Sequence, residues 1–200
     1  MTANIHWAKT AALATLLLAC SLSARPAQAY SLEGPTWANH RTNFWYAIAG
    51  APSGAFSTAL RQALGEWNPL SAFKYVPTNK FSNPCNSSGP NGAAMRTTAC
   101  GKAFGSGVLG VTMYSFTSSN RFIHAGTVFN ADTSFSIYDG PLRPNSIDFR
   151  RVATHEMGHA LGMGHENNPN IPAIMQPVIS NTDRPTADDI AGIRAMYGAP

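Results

Sequence analysis

The stretch His155–His165 reads HEMGHALGMGH and holds half of the six histidines of this 200-residue chain. His155 and His159 are four residues apart, so on a helix both imidazoles leave the same face and can reach one metal ion. Gly162 can adopt the left-handed conformation that ends a helix, which would let His165 return as a third ligand. Three neutral histidines leave the fourth tetrahedral position of zinc open, as in catalytic rather than structural sites.

Glu156 follows the first histidine and can point at a zinc-bound water without binding the metal. Zinc lowers the pKa of that water towards about 7, and Glu156 can take its proton and pass it to a leaving amine. A structural zinc site would need a fourth protein ligand and gives no role to this glutamate. An acid further along the chain is another candidate third ligand, although it would leave His165 without a role; the candidates are Asp183, Asp188 and Asp189.

The first 29 residues have the parts of an export signal. MTANIHWAK contains one lysine, AALATLLLACSL is apolar but too short to span a bilayer, and Ala27–Ala29 is an A-x-A cleavage site. We place cleavage after Ala29 and one folded domain at residues 30–200, with lipidation of Cys20 as the alternative. Removal of residues 1–29 lowers the net charge from +4 to +2, too little to favour nucleic acid or an anionic membrane. We therefore expect a secreted protein, extracellular or periplasmic, without stable membrane insertion and without a nucleic-acid partner.

Cleavage would leave two cysteines, Cys85 and Cys100, which can form a single intrachain bridge in an exported protein. By loop entropy a bridge over this segment contributes about 3 kcal/mol to stability. Two free thiols are the alternative. A role in zinc binding is disfavoured because the CxxC spacing is absent.

The hydrophobic pattern predicts a single domain that mixes strands and helices. The predicted strands cover Arg41–Ala49, Phe73–Val76, Val108–Phe116 and Phe122–Asn130. The predicted helices cover Ser57–Leu70, a segment from Ser146 or Asp148 to Gly162, and Thr186–Tyr197. Residues 79–107 and 132–144, rich in Gly, Asn, Ser and Pro, are predicted to be loops.

HExxHxxGxxH, followed ten residues later by Met175 in IPAIMQP, resembles the metzincin metalloproteases. ALRQALGEWNPLSAFKYV, GVLGVTMY, TVFN and TADDIAGIRAMYG are similar to segments of the matrixins, so the likeness runs from about Arg41 to Gly198. The resemblance implies an α+β, zincin-like domain in which a twisted mixed sheet packs on helices. It also implies a methionine turn at Met175 beneath the zinc. The implied substrate-binding elements are an edge strand at Val108, Leu109, Gly110 and Val111 and a pocket wall at Pro177–Ser180 for the side chain after the cleaved bond.

The chain departs from that family pattern in several places. Val111 and Val128 stand where animal matrixins carry histidines of a structural zinc, so we expect one catalytic zinc and no second one. His124 is interpreted as a surface or hydrogen-bonded strand histidine. Asn130 and Asp132 are candidate calcium ligands, but no acidic cluster forms a clear calcium motif. Glu166 resembles the astacins, whereas Pro177 stands where an astacin would carry a ligand tyrosine.

We therefore predict a monomeric zinc endopeptidase that hydrolyses peptide bonds in proteins through a zinc-bound water activated by Glu156. Two rival functions stay open. The first is a catalytically silent zinc-binding module, which would not require Glu156. The second is a zinc amidase that acts on cell-wall material.

Overall fold

A computed structural model of the protein describes residues 30–200. The predicted signal, with its cleavage site at Ala29 and Cys20, lies outside the described residues. Within residues 30–200, no helix combines the length and the apolar character needed to cross a bilayer.

Five strands form the main sheet, in the spatial order β2-β1-β3-β7-β6. These five strands are β1 Arg41–Ala49, β2 Lys74–Thr78, β3 Gly92–Arg96, β6 Gly110–Phe116 and β7 Phe122–Asn130. Four short strands form two separate pairs: β4 Thr98–Ala99 with β5 Lys102–Ala103, and β8 Phe135–Ser136 with β9 Ile147–Asp148. Neighbours run parallel except β6, which pairs antiparallel with β7 at one edge of the sheet. The mixed sheet and its helices confirm the predicted α+β class.

Three α-helices accompany the sheet: α1 Gly54–Trp67, α2 Phe149–Leu161 and α3 Ala187–Tyr197, and a short 3₁₀ turn at Ala38–His40 precedes β1. Asp148 caps α2, because its carboxylate accepts hydrogen bonds from the backbone N–H groups of Arg150 and Arg151 at 3.2 and 3.3 Å. Of the two predicted start points, Asp148 is therefore correct. Gly162 ends the helix with a φ of 104°, a left-handed conformation that suits a residue without a Cβ atom.

Helix α1 begins and ends three residues earlier than the predicted Ser57–Leu70. The helix ends at Trp67, and Asn68 is its C-cap. The Asn68 side chain accepts from the backbone N–H of Tyr75 at 2.7 Å and donates to the Tyr75 carbonyl at 3.1 Å. These two bonds turn the chain from the helix directly into β2.

Helices α1 and α2 bury their apolar faces against each other and against the sheet. The apolar stripe of α1 (Leu60, Ala63, Leu64, Trp67) and that of α2 (Ala153, Met157, Ala160, Leu161) are both fully buried. Burial of each large apolar side chain contributes about 1.5–3 kcal/mol to the stability of the folded state. Two side-chain hydrogen bonds also fix α2. The indole Nε1 of Trp67 donates to the Thr154 carbonyl at 3.0 Å, and the Tyr75 hydroxyl donates to the Met157 carbonyl at 2.7 Å. Helix α2 is thus held in a fixed position relative to α1 and β2.

The prediction of one long loop over residues 79–107 is wrong, because β3 and the β4–β5 hairpin lie within it. Strand β3 reads GAAMR and is buried between β1 and β7. A central parallel strand is covered on both faces, so it shows no polar alternation, and this one has no β-branched residue. The predicted bridge is present, and Cys85 and Cys100 join the segments that flank β3 with a Cα–Cα distance of 5.5 Å. The loop predicted at 132–144 likewise contains the two-residue strand β8.

Candidate metal centre

The three histidines of HEMGHALGMGH converge on one point. The distances between their Nε2 atoms are 3.1 Å for His159–His155, 3.1 Å for His159–His165 and 3.3 Å for His165–His155. Tetrahedral ligands at about 2.0–2.1 Å from zinc stand about 3.3 Å apart. Within residues 30–200, this is the single cluster of three or more such side chains close enough to share a metal ion.

Two of these imidazoles are oriented by backbone carbonyls. His155 Nδ1 lies 2.8 Å from the Ile174 carbonyl oxygen, and His159 Nδ1 lies 2.8 Å from that of Met163. A carbonyl accepts only, so each Nδ1 carries the proton and each Nε2 presents its lone pair to the cluster. Burial, together with His159, lowers the pKa of His155 to about 3. The ring is therefore neutral, as a metal ligand must be.

Gly162 redirects the chain so that His165 can face the helix. A Cβ atom at Gly162 would lie 2.6 Å from the Pro35 carbonyl oxygen. The N-terminal segment packs closely at this corner, where the Glu33 N–H donates to the Gly162 carbonyl at 2.8 Å and the Gly164 N–H donates to the Ser31 carbonyl at 2.9 Å. The third histidine is thus held by a turn that is braced from outside the motif.

Glu156 is 5% exposed, and its carboxylate faces strand β6. Its Oε2 accepts from Thr112 Oγ1 at 2.7 Å, and that hydroxyl lies 2.9 Å from Thr127 Oγ1. A Cβ atom at Gly110 would lie 3.0 Å from Glu156 Oε1, so the glycine leaves room for the carboxylate. Burial raises the pKa of Glu156, which brings it closer to neutral pH.

Met175 is 1% exposed and directly follows Ile174, whose carbonyl orients His155. The buried carboxylate of Asp189 holds this turn, since it accepts from the N–H groups of Ile174 at 2.9 Å and Met175 at 3.2 Å. The same carboxylate accepts from the Thr186 N–H at 2.7 Å. Asp189 thereby fixes the Ile174 carbonyl that orients His155.

Gly158 is the contact point between α2 and this turn, and it gives a testable prediction. A Cβ atom there would lie 2.3 Å from Met175 Sδ and 3.0 Å from Trp67 Cζ2. Because both neighbours are buried, we expect Gly158→Ala to lower the free energy of unfolding by about 1–3 kcal/mol, as overpacked cores do. Urea unfolding followed by circular dichroism measures the change.

Gly65→Ala in α1 is the matched control for that substitution. Nothing lies within 4 Å of a Cβ atom at Gly65, so alanine should stabilise the helix by up to about 1 kcal/mol. A Gly158→Ala protein as stable as this control would contradict the packing described for Met175.

A cleft of about 660 Å³ opens along the histidines. The predicted edge residues Val108, Leu109, Gly110 and Val111 line one side, although β6 begins only at Gly110. Pro177, Val178, Ile179 and Ser180 line the same cleft. Among residues 30–200, strand β6 pairs only with β7, so its other edge is open to backbone hydrogen bonding within this part of the chain.

The three acids considered as alternative third metal ligands lie outside the histidine cluster. Asp183 accepts from the Gly140 N–H at 3.2 Å, Asp189 holds the methionine turn, and neither these nor Asp188 joins the histidine cluster. Val111 and Val128 are direct partners across β6 and β7. The expectation of a single zinc and the question of calcium at Asn130 and Asp132 stay predictions.

His124 is 2% exposed, so the surface alternative is wrong. Burial lowers its pKa, and a hydrogen bond to the Pro90 backbone opposes that shift. It is a buried, hydrogen-bonded strand histidine. Glu166 is also buried, and its carboxylate accepts from the Asn168 N–H at 2.6 Å.

Sequence reasoning missed three residues that shape this site: Thr112, Arg151 and Asp189. Arg151 is four residues before His155, so helical spacing alone places both on one face and could have indicated it. The sequence offers Asp189 only as a candidate third ligand, whereas its carboxylate bonds the backbone of Ile174 and Met175. Nothing local marks Thr112, because its contact crosses between elements.

Comparison with known proteins gives one family. The model of the family described as matrixin, peptidase M10, matches residues 36–198. The chain is 28% identical over 170 residues to Metalloendoproteinase 2-MMP of Arabidopsis thaliana, covering 82% of this chain and 43% of that protein. It is 28% identical over 178 residues to Metalloendoproteinase 1 of Glycine max, covering 82% of this chain and 53% of that protein. Human matrilysin is 48% identical over 56 residues, 26% of this chain and 20% of its own. The chain thus spans about half or less of these relatives.

Proposed function

The chain belongs to the matrixin family of peptidases, and from this premise we propose that it is a secreted zinc endopeptidase that hydrolyses peptide bonds in proteins. The observation that carries the proposal is the pairing of three Nε2 atoms 3.1–3.3 Å apart with a buried carboxylate on the same helix. The names of the two plant relatives, both metalloendoproteinases, support the same class of activity.

The donor set fits a zinc ion. His155, His159 and His165 would hold it through neutral Nε2 atoms, and the carbonyls of Ile174 and Met163 keep two of those rings in the required tautomer. When bound, zinc supplies a Lewis acid for the scissile carbonyl and lowers the pKa of water. Three protein ligands leave a position open, as expected of a catalytic rather than structural ion.

Glu156 acts as general base and then as general acid. Burial raises the pKa of Glu156, and this direction of shift favours a carboxylate that both accepts and returns a proton. Thr112 donates a hydrogen bond to Oε2 and fixes the carboxylate in one orientation. Glu156 removes a proton from the attacking water and passes it to the nitrogen of the leaving amine.

The substrate is an extended peptide that adds to the free edge of β6. Backbone groups of Val108–Val111 would supply sequence-independent hydrogen bonds, as in other cases of strand addition. Pro177–Ser180 would form one wall of the pocket for the side chain that follows the cleaved bond.

The predicted signal at residues 1–29 supports secretion, and the Cys85–Cys100 bridge suits an oxidising compartment. A protein substrate outside the cell or in the periplasm fits both features. The family membership and the cleft favour an enzyme that acts on a peptide over a catalytically silent zinc-binding module.

Digestion of casein and of purified peptidoglycan by the same preparation separates the peptidase from the cell-wall amidase. We expect casein to be cut into peptides whose new termini mass spectrometry can map, and peptidoglycan to stay intact. Release of peptidoglycan fragments without casein cleavage would replace the proposal with the amidase. No reaction with either substrate by a zinc-loaded protein would favour the silent module.

A further inference from the structure

Glu33 is the accessible charged side chain of the cleft. Among residues 30–200, three charged side chains line this cleft: Glu33, Arg151 and Glu156. Arg151 is 2% exposed, and Glu156 is 5% exposed and accepts a hydrogen bond from Thr112. Glu33, in contrast, is exposed. A substrate side chain that enters the cleft can therefore reach the carboxylate of Glu33, whereas the other two charged groups are covered by the protein.

Two hydrogen bonds fix Glu33 beside the third histidine. Its N–H donates to the Gly162 carbonyl at 2.8 Å, and its Oε2 accepts from the Tyr114 hydroxyl at 2.9 Å. Its Oε1 would lie 3.4 Å from a Cβ atom at Gly164, the residue before His165. Burial lowers the pKa of His165, and the negative charge of Glu33 opposes that shift. A carboxylate can accept several hydrogen bonds, so the bond from Tyr114 leaves capacity for a second donor.

The proposed pocket wall Pro177–Ser180 lies towards the start of α2. The Gly140 N–H donates to Asp183 Oδ2 at 3.2 Å, and the Gly140 carbonyl accepts from Arg151 Nη2 at 2.6 Å. Through Gly140, the segment that follows the wall is therefore tied to the first turn of α2.

Glu33 lies at the other end of the same helix, because its backbone is bonded to Gly162. From Arg151 to Gly162 the chain advances about 16 Å along the helix axis. The helical histidines His155 and His159 stand between these two ends. A peptide that places the side chain after the cleaved bond at the pocket wall therefore directs the residues before that bond towards Glu33.

We propose that Glu33 is a specificity-determining residue that favours lysine or arginine at the second or third residue before the cleaved bond. The inference rests on the proposed function, since it requires a peptide along β6 in the stated direction. Half of the span along α2 is about 8 Å, which is two to three residues of extended peptide. A basic side chain there can donate a charge-assisted hydrogen bond to Glu33. A glutamate at the same position meets a like charge and is disfavoured.

The test is a set of alanine-rich octapeptides with leucine after the cleaved bond, since Val178 and Ile179 give the pocket wall an apolar surface. The second or the third residue before the bond is Lys, Gln or Glu, and mass spectrometry maps each cut. With the zinc-loaded protein we expect kcat/KM to fall in the order Lys, Gln, Glu at one of these positions. Lys should exceed Gln by about threefold to fivefold, the size of an exposed ion pair. Equal rates for Lys and Gln at both positions, or a preference for Glu, would overturn the proposal.

Glu33→Gln removes the charge and keeps an oxygen that can accept from Tyr114, so it should bring the Lys and Gln peptides to equal rates. Glu33→Lys should reverse the order and place Glu above Lys, which the loss of a purely structural contact would not do. Glu66→Gln is the matched control, because Glu66 lies on α1 and does not line the cleft. An unchanged Lys preference in Glu33→Gln, or the same loss in Glu66→Gln, would contradict the role of Glu33.

Ionic strength separates the charge of Glu33 from packing of the lysine stem. Because Glu33 is exposed, salt should screen its attraction for a cation. We expect the wild-type preference for Lys over Gln to fall below about twofold between about 0.02 M and about 0.5 M salt. A preference that salt leaves unchanged would assign the effect to packing and would overturn the proposal.

Binding to the zinc-loaded Glu156→Gln protein distinguishes a failure of this inference from a failure of the proposed function. Fluorescently labelled Lys and Glu peptides of the same set are titrated at low salt, and the two dissociation constants are compared. Tighter binding of the Lys peptide by about threefold or more supports Glu33 even if the wild type cuts no peptide. Equal binding, or tighter binding of the Glu peptide, overturns the inference even if the protein proves to be an active peptidase.

Discussion

Glu156→Gln is expected to lower peptide hydrolysis by about 10²–10⁴-fold while zinc stays bound. Glutamine has nearly the same shape, and its carbonyl oxygen can still accept the hydrogen bond from Thr112. It cannot take a proton from water at neutral pH, so the attack on the carbonyl loses its base. Zinc should remain because its three ligands are elsewhere. The measurements are kcat/KM on a fluorogenic peptide and zinc content by mass spectrometry.

Glu66→Gln is the control, because Glu66 lies on α1 and does not line the cleft. It should retain full activity. A Glu156→Gln protein with wild-type activity would exclude Glu156 as the base and leave the proton transfer to another group. A loss of zinc in the same variant would show that the carboxylate supports the metal instead.

His159→Ala is expected to abolish zinc binding and activity together. The Nε2 atom of His159 lies 3.1 Å from each of its two partners, so its removal leaves a two-histidine site. Two neutral imidazoles bind zinc far more weakly than three held in place. Zinc should raise the melting temperature of the wild type, since it binds the folded state, and should have no effect on the variant.

His40→Asn controls for the loss of a histidine. His40 is exposed and has a positive φ of 50°, a conformation that asparagine tolerates. It should bind zinc like the wild type. If His159→Ala bound one zinc per chain with unchanged affinity, the histidine triangle would not be the metal site.

Local patterns in the sequence are sufficient to predict several parts of this structure. The i, i+4 spacing of His155 and His159, the glycine that ends their helix and the apolar stripes of α1 and α2 all follow from helix geometry. Strands β1 and β7 match their predicted bounds, since each reads as a run of β-favouring residues between turn residues. The family resemblance added Met175, which no spacing rule identifies.

The parts that depend on contacts between distant segments are not predictable in the same way. Strand β3 is covered on both faces and carries mostly small residues, so its sequence looks like the loop around it. Thr112 reaches Glu156 across 44 residues, and Asp189 reaches Ile174 across 15. The side chains of Thr112, Glu156 and Asp189 are polar and would fit a surface position equally well. Only the folded arrangement shows that these side chains are buried and paired.

Zinc dependence of casein cleavage by the intact protein tests the central claim most directly. The protein is treated with a chelator, dialysed, and then assayed as zinc is added back in measured amounts. Activity should be lost on chelation and should return in proportion to zinc, reaching its maximum at one zinc per chain. Undiminished cleavage by the zinc-free protein, or a requirement for two zinc ions per chain, would contradict a single three-histidine zinc centre.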